Sequence, residues 1–243
     1  MKQTVLVTGG AAGLGLAISR RLVAEGFQVV IGDIDGDRAR EAAGALGEGA
    51  AAVTLDVREA EDFIRARALA VERFGGLQVL VNNAALTLAT PIMEIGVEEF
   101  DRVMTTNLRG TFVGCQTLGR GFAEQGYGRI INMASLAGQN GGTASGAHYA
   151  ASKGGIITLT KVFARALADK GVTVNAIAPG PVDSPAVRAL VPEEKMAGLL
   201  AAIPVGALGD SEFVARAAAL LASPQAGFVT GATWDINGGL FMR

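Results

Sequence analysis

Tyr149-Ala150-Ala151-Ser152-Lys153 sets a phenol and an ammonium four residues apart. If the segment is helical, residues at that spacing share one face. A tyrosine hydroxyl ordinarily titrates near pH ~10, so near neutrality it is protonated and a poor base. A cation close to it favours the anion. The pair is therefore a candidate device for moving one proton. The pattern is also short, and it fits a half-buried aromatic beside a solvated helix charge equally well, so the rest of the chain has to decide.

A second chemical signal lies at Thr8-Gly9-Gly10-Ala11-Ala12-Gly13-Leu14-Gly15, between an apolar run and an amphipathic stretch with Leu14, Ile18 and Leu22 on one face. Glycines at a strand-to-helix turn let a pyrophosphate approach the N–H groups of the helix N-terminus, where the dipole favours anions. Gly9, Gly13, Leu14 and Gly15 are the candidate cradle. Asp33 closes the next apolar run, Val29-Val30-Ile31-Gly32-Asp33, about 20 residues beyond the turn. A carboxylate there accepts from both adenosine ribose hydroxyls and repels a 2′-phosphate. Gly10, Ala11 and Ala12 fill the turn and Ile34 follows Asp33, so this stretch offers no arginine to clamp such a phosphate. NAD is favoured over NADP.

The elements that must position these residues are legible as alternation. Short β-rich runs at Thr4 to Val7, Gln28 to Ile31, Ala52 to Leu55, Val79 to Val81, Arg129 to Met133, Val172 to Ile177 and Thr233 to Ile236 are separated by helix-like stretches. The runs are apolar throughout rather than alternating in polarity, which predicts a parallel sheet covered on both faces. The expected fold is α/β, a Rossmann-type doubly wound sheet, mostly parallel and seven-stranded, in a single domain over residues 1–243. The stretch from Ser184 to Asp210, bounded by prolines and glycines, reads as an insertion that covers a site at the strands' carboxyl ends.

In this order the motifs resemble the short-chain dehydrogenase/reductase family, in its short single-domain branch, from the first strand to Ile236-Asn237-Gly238-Gly239. The glycine spacing matches Thr-Gly-x-x-x-Gly-x-Gly. Asp56-Val57 looks like the pair that brackets adenine, and Asn82-Asn83-Ala84-Ala85 like the family's Asn-Asn-Ala-Gly, with Ala85 in place of the glycine. The resemblance implies a catalytic tetrad of Asn107, Ser135, Tyr149 and Lys153. It assigns the cofactor to Gly9, Gly13, Leu14, Gly15, Asp33, Asp56, Val57, Asn83, Ala84, Tyr149 and Lys153, with Pro179, Val182 and Ser184 at the nicotinamide carboxamide. Tyr149 is the implied acid/base, Lys153 lowers its pKa and holds the nicotinamide ribose, Ser135 orients the substrate oxygen, and Asn107 holds a water that passes the proton outward. A homotetramer is the family expectation.

Composition narrows the rest. The net charge is −2 and the basic residues are scattered, so nucleic acid is not an expected partner. No apolar run reaches the roughly 18 to 20 residues a membrane helix needs, and the chain opens on Lys2-Gln3-Thr4 without a leader pattern, so a cytoplasmic protein is expected. The sole histidine, His148, rules out a multi-histidine metal site; beside Tyr149 it is either packed or in touch with substrate, packing being favoured. The sole cysteine, Cys115, reads as a buried thiol.

The leading reading is an NAD-dependent oxidoreductase acting on a small-molecule secondary alcohol, ketone or 3-hydroxyacyl-type substrate. A 3-oxoacyl carrier-protein reductase using NADPH is the alternative within enzymes, and a dinucleotide-sensing binding protein without turnover the alternative outside them. Leu86 to Thr90, Leu136 to His148 and the 184–210 segment are the expected substrate-facing stretches, mostly apolar and small.

Overall fold

The computed structural model describes residues 2–142, 145–183, 187 and 193–242. Seven parallel strands form one sheet in the order β3-β2-β1-β4-β5-β6-β7. They are β1 (Thr4–Thr8), β2 (Gln28–Asp33), β3 (Ala50–Thr54), β4 (Val79–Asn82), β5 (Gly128–Met133), β6 (Val172–Pro179) and β7 (Thr233–Ile236). The helices are α1 (Gly13–Ala24), α2 (Gly36–Leu46), α3 (Ala60–Phe74), α4 (Val97–Met104), α5 (Gly110–Glu124), α6 (Ala137–Asn140), α7 (Ala147–Leu167), α8 (Glu193–Ala202) and α9 (Ser211–Ala222). A π-helical turn, Thr105–Arg109, joins α4 to α5.

Side chains alternate across each strand, and here both faces are apolar. Val5, Val7, Val29 and Ile31 pack with Ile18 and Leu22 of α1, Ala39 of α2 and Val214 and Leu221 of α9. Leu6, Val30, Leu80 and Ile130 pack on the other face with Phe63 of α3, Leu118 and Phe122 of α5 and Ala164 of α7. The central strands β1, β4, β5 and β6 are buried along their length, whereas the edge strand β7 is half-buried. The predicted doubly wound α/β architecture is observed, and the strand runs agree with the expected ones to within a few residues at their ends.

The strand order reverses between β1 and β4, which opens a crevice at their carboxyl ends. Thr8 knits that point: its hydroxyl accepts from the main-chain nitrogens of Asn83 at 3.0 Å and Ala84 at 3.1 Å. Asn83 returns its side-chain amide to the carbonyls of Thr8 and Gly9, at 3.0 and 3.1 Å. Deeper in the sheet, Asn82 on β4 donates to Asn132 on β5 at 2.9 Å, and Asn132 donates to Thr160 on α7 at 3.0 Å. Cys115 of α5 is buried beside both asparagines, and burial pushes its thiol up to about 12, the inert packed group the sequence implied.

Among the described residues, no helix is long and apolar enough to cross a membrane, and no cluster of metal-ligating side chains is present. Of the expected covering segment, residue 187 and residues 193–210 are among the described residues. Val182 bridges Gly209, with Asp183 N–H donating to the Gly209 carbonyl and Gly209 N–H to that of Pro181, both at 2.9 Å.

Candidate active site

The turn after β1 is built by backbone crowding on one side and open space on the other. Gly9 has φ +60°, and a Cβ on it would lie 2.9 Å from Cα of Ala84. Gly15, one turn into α1, has no room either: a Cβ would sit 2.1 Å from the Gly9 carbonyl oxygen and 2.5 Å from the Asn83 amide nitrogen. Gly13, at φ +51°, faces no protein atom within 4 Å. The crowding presses the start of α1 against the β1 turn, and the free side at Gly13 leaves its N-terminus open to an anion.

This turn forms one wall of a cleft of about 740 Å³ that runs along the carboxyl edge of the sheet. Leu14, Asp33, Asp56 and Val57 line its outer part; Asn83 and Ala84 lie at the switch point, and Tyr149 and Lys153 close the inner end. A cleft of this size and mixed lining suits a bound cofactor and substrate. The residues fit a dinucleotide: an unfilled cradle at a helix N-terminus, then a carboxylate one strand away. Asp33 is partly committed, since it accepts from Ala11 N–H at 3.3 Å and Asp35 N–H at 3.1 Å, yet a carboxylate retains lone pairs for two hydroxyls.

Asp56 differs from its expected state. Its carboxylate is held by Arg58, whose Nε lies 2.9 Å from both oxygens, and this side-chain hydrogen bonding keeps it below the usual carboxylate range. Arg58 lines the same cleft. The turn and the residue after Asp33 hold no arginine, but Arg58, after β3, brings a cation to the cleft, one already paired by Asp56. Arg102 and Thr106 are further lining residues that sequence reasoning missed. A polar side chain following Asp56-Val57 was the available signal for Arg58; α4 and the π-turn offered none, since their orientation toward the cleft depends on tertiary packing.

At the inner end Tyr149 lies on the first turn of α7 and Lys153 one turn on, as the spacing predicts. Lys153 Nζ stands 5.6 Å from the Tyr149 ring centroid and donates to the Met133 carbonyl at 2.6 Å. The outcome differs from the expected depression of the tyrosine. Burial raises Tyr149 above its ordinary value, opposed by hydrogen bonding from the Ser135 and Thr87 hydroxyls, and burial lowers Lys153 to about 8. Desolvation pushes both groups toward neutrality, with the Ser135 and Thr87 hydroxyls favouring the tyrosine anion.

Ser135 follows β5 and approaches Tyr149 because α6 can lie directly on α7. A Cβ on Gly138 would come within 2.5 Å of the Lys153 backbone. Asn107 is fully buried behind the cleft. Its side chain accepts from Leu86 N–H at 2.7 Å and donates to the Leu86 carbonyl at 3.0 Å and to Ser152 at 3.1 Å. Ser152 in turn donates to the Tyr149 carbonyl at 2.7 Å. The four tetrad residues are thus joined into one constellation, but the Asn107 amide is spent on clamping neighbours. Its main-chain carbonyl accepts from the Thr111 hydroxyl at 2.8 Å and from Gly110 N–H. Pro179 and Val182 lie at the end of β6 and just beyond it, outside the lining of the cleft, and Ser184 lies outside the described residues. His148 is buried with both ring nitrogens bonded, so it packs rather than touching substrate.

A family model described as enoyl-(acyl carrier protein) reductase matches residues 9–241. A 3-oxoacyl-[acyl-carrier-protein] reductase of Vibrio cholerae is 38% identical, over 99% of this chain and 98% of its own length. A sorbitol dehydrogenase of Cereibacter sphaeroides is also 38% identical, over 99% and 98% of the two chains. An uncharacterized oxidoreductase of Mycobacterium bovis is 41% identical over 99% of this chain and 97% of that one.

Proposed function

The chain belongs to the short-chain dehydrogenase/reductase family, and from that premise we propose that it is an NAD-dependent oxidoreductase for a secondary alcohol, ketone or 3-hydroxyacyl-type substrate. The observation that carries the reading is the convergence of the Ser135 and Tyr149 hydroxyls at the inner end of a cleft whose outer end holds Asp33.

Bound in the cleft, the nicotinamide dinucleotide supplies the two-electron chemistry, taking or giving a hydride. The chain's own residues handle the proton and the orientation. In oxidation the Tyr149 oxygen removes the substrate hydroxyl proton; in reduction it returns one to the carbonyl oxygen. Ser135 hydrogen-bonds that same oxygen and fixes its direction. Lys153 sits where its ammonium favours the tyrosine anion and reaches a ribose. Asn107 holds the Leu86 backbone beside the cleft, and the water that the family resemblance assigns to it would stand on the proton's way out. Because burial keeps Tyr149 protonated, reduction is supported near neutrality and oxidation gains as pH rises.

Asp33 supports NAD, since a 2′-phosphate would meet its carboxylate. The segment 184–210 is read as a cover over the substrate end, and the cytoplasm as the place of action. A homotetramer is supported by the apolar surface of the π-turn, α5 and α7, where Leu108, Phe112 and Leu159 border a shallow cleft.

The test is a panel of secondary alcohols, polyols and hydroxyacyl thioesters assayed with NAD and NADP at equal concentration. Faster turnover with NADP would overturn the cofactor assignment. Tyr149→Phe should abolish turnover and leave NADH binding nearly intact; loss of both would point to a structural tyrosine. A second reading, a 3-oxoacyl carrier-protein reductase, is favoured by the full-length relatives that carry that name, among them those of Vibrio cholerae and Haemophilus influenzae. Thioester reduction with NADPH as the preferred donor would decide for it.

A further inference from the structure

His148 precedes Tyr149 on the first turn of α7 and is completely buried. Its Nδ1 lies 2.8 Å from the main-chain nitrogen of Tyr149, and its Nε2 lies 2.9 Å from Glu99 Oε1 on α4. A peptide N–H only donates, so Nδ1 is an acceptor without a proton. Nε2 then carries the hydrogen and donates it to the carboxylate. One tautomer of the neutral ring satisfies both contacts.

The chain of bonds does not end at Glu99. The Thr90 hydroxyl also bonds that carboxylate, and Thr90 closes the 86–90 loop that borders the cleft. The same loop is tied to the head of α7 through Leu88, whose carbonyl accepts from Gly146 N–H at 2.8 Å. Residue 146 is shaped to the ring as well, because a Cβ there would lie 2.3 Å from the His148 Cε1.

A first-turn N–H of a helix lacks an intrahelical partner, so an imidazole that merely capped Tyr149 would account for the Nδ1 contact. It would not account for the continuation through Nε2, Glu99 and Thr90 to the substrate-facing loop. We propose that His148, as its Nε2–H tautomer, is a positioning residue that locks the main chain of Tyr149 to α4 and the 86–90 loop, setting the phenol against Ser135. This rests on the reading of Tyr149 as the acid/base.

His148 is the only histidine, so the imidazole 15N spectrum of the intact protein contains one residue. The Nε2–H tautomer is expected, and an Nδ1–H tautomer overturns the proposal. His148→Ala is expected to lower kcat about ten-fold, on the scale of a small misplacement of a reacting group, with KM and NADH affinity within about two-fold. His148→Asn, whose carbonyl can still accept from Tyr149 N–H, should recover most of that loss. Glu99→Ala should lower kcat, and Glu99→Gln, which still accepts from Nε2–H, should not. A wild-type kcat in His148→Ala and Glu99→Ala overturns the proposal, and so does loss of NADH binding in step with kcat. If His148→Ala does not fold, the spectrum and the Glu99 pair still decide. Failure of the acid/base reading would look different: Tyr149→Phe would retain turnover whatever tautomer His148 adopts.

Discussion

Lys153 is a buried cation whose shift comes from desolvation. It is 3% exposed, and desolvation lowers its ammonium to about 8. In the unfolded chain a lysine titrates near ~10.4. Below pH 8 both states hold the proton, and the folded protein carries the full cost of the buried charge. Between pH 8 and about 10.4 only the unfolded chain does, so stability rises with pH in that window, by up to about 3 kcal/mol. Urea midpoints for wild type and Lys153→Met should therefore separate in favour of wild type from pH 8 to pH 10; parallel curves would contradict this. Asp33 acts on the cofactor by charge and also accepts from Ala11 and Asp35 N–H. Asp33→Ser is expected to raise the ratio of NADPH to NADH turnover at least about ten-fold, the scale of one charge contact, with a lowered melting temperature from the lost main-chain hydrogen bonds.

Among the elements, the α1 turn and the π-turn decide where the chemistry sits. Alanine exceeds glycine in helix propensity by about 1 kcal/mol, so Gly15→Ala would stabilise an isolated helix. In the folded chain its Cβ would stand 2.1 Å from the Gly9 carbonyl oxygen, and overpacking of this kind costs about 1–3 kcal/mol or more. The clash wins: chemical denaturation should register a net loss, and fluorescence titration a weaker affinity for NADH. Gly44 in α2 is the control, because a Cβ there meets nothing within 4 Å. Gly44→Ala should stabilise by about 0.5–1 kcal/mol and leave NADH affinity alone. The π-turn Thr105–Arg109 has Asn107 at its centre, an irregularity of the kind that recurs at functional sites. From sequence the stretch from Glu98 to Glu124 reads as one long helix, since no proline or glycine cluster marks the extra residue in the turn.

At the scale of the whole molecule, the sheet brings together residues that are far apart in the chain. Asp33, Asn83 and Tyr149 line one cleft only because strand order reverses between β1 and β4. The surface around Phe112 and Phe163, with Val162 56% exposed, should bury itself against a second copy. Light scattering is expected to give a mass near four chains; a single chain of 24.8 kDa would overturn the assembly. The strands and their parallel arrangement were legible because both-face burial leaves uninterrupted apolar runs. The placement of Tyr149 and Lys153 one turn apart on a helix was legible from their spacing, whereas Asn107 and Ser135 entered only through the family resemblance.

Local chemistry is what the sequence by itself determined: a glycine turn that only backbone geometry can use, an acidic residue closing β2, and a phenol and ammonium one helical turn apart. Their ionisation was decided by tertiary structure. Burial raised Tyr149 and lowered Lys153 to about 8, and packing turned Asn107 and His148 inward as clamps. The physical reason is that residue type and spacing fix which groups can meet, whereas desolvation and hydrogen-bond partners depend on surfaces supplied by distant parts of the chain.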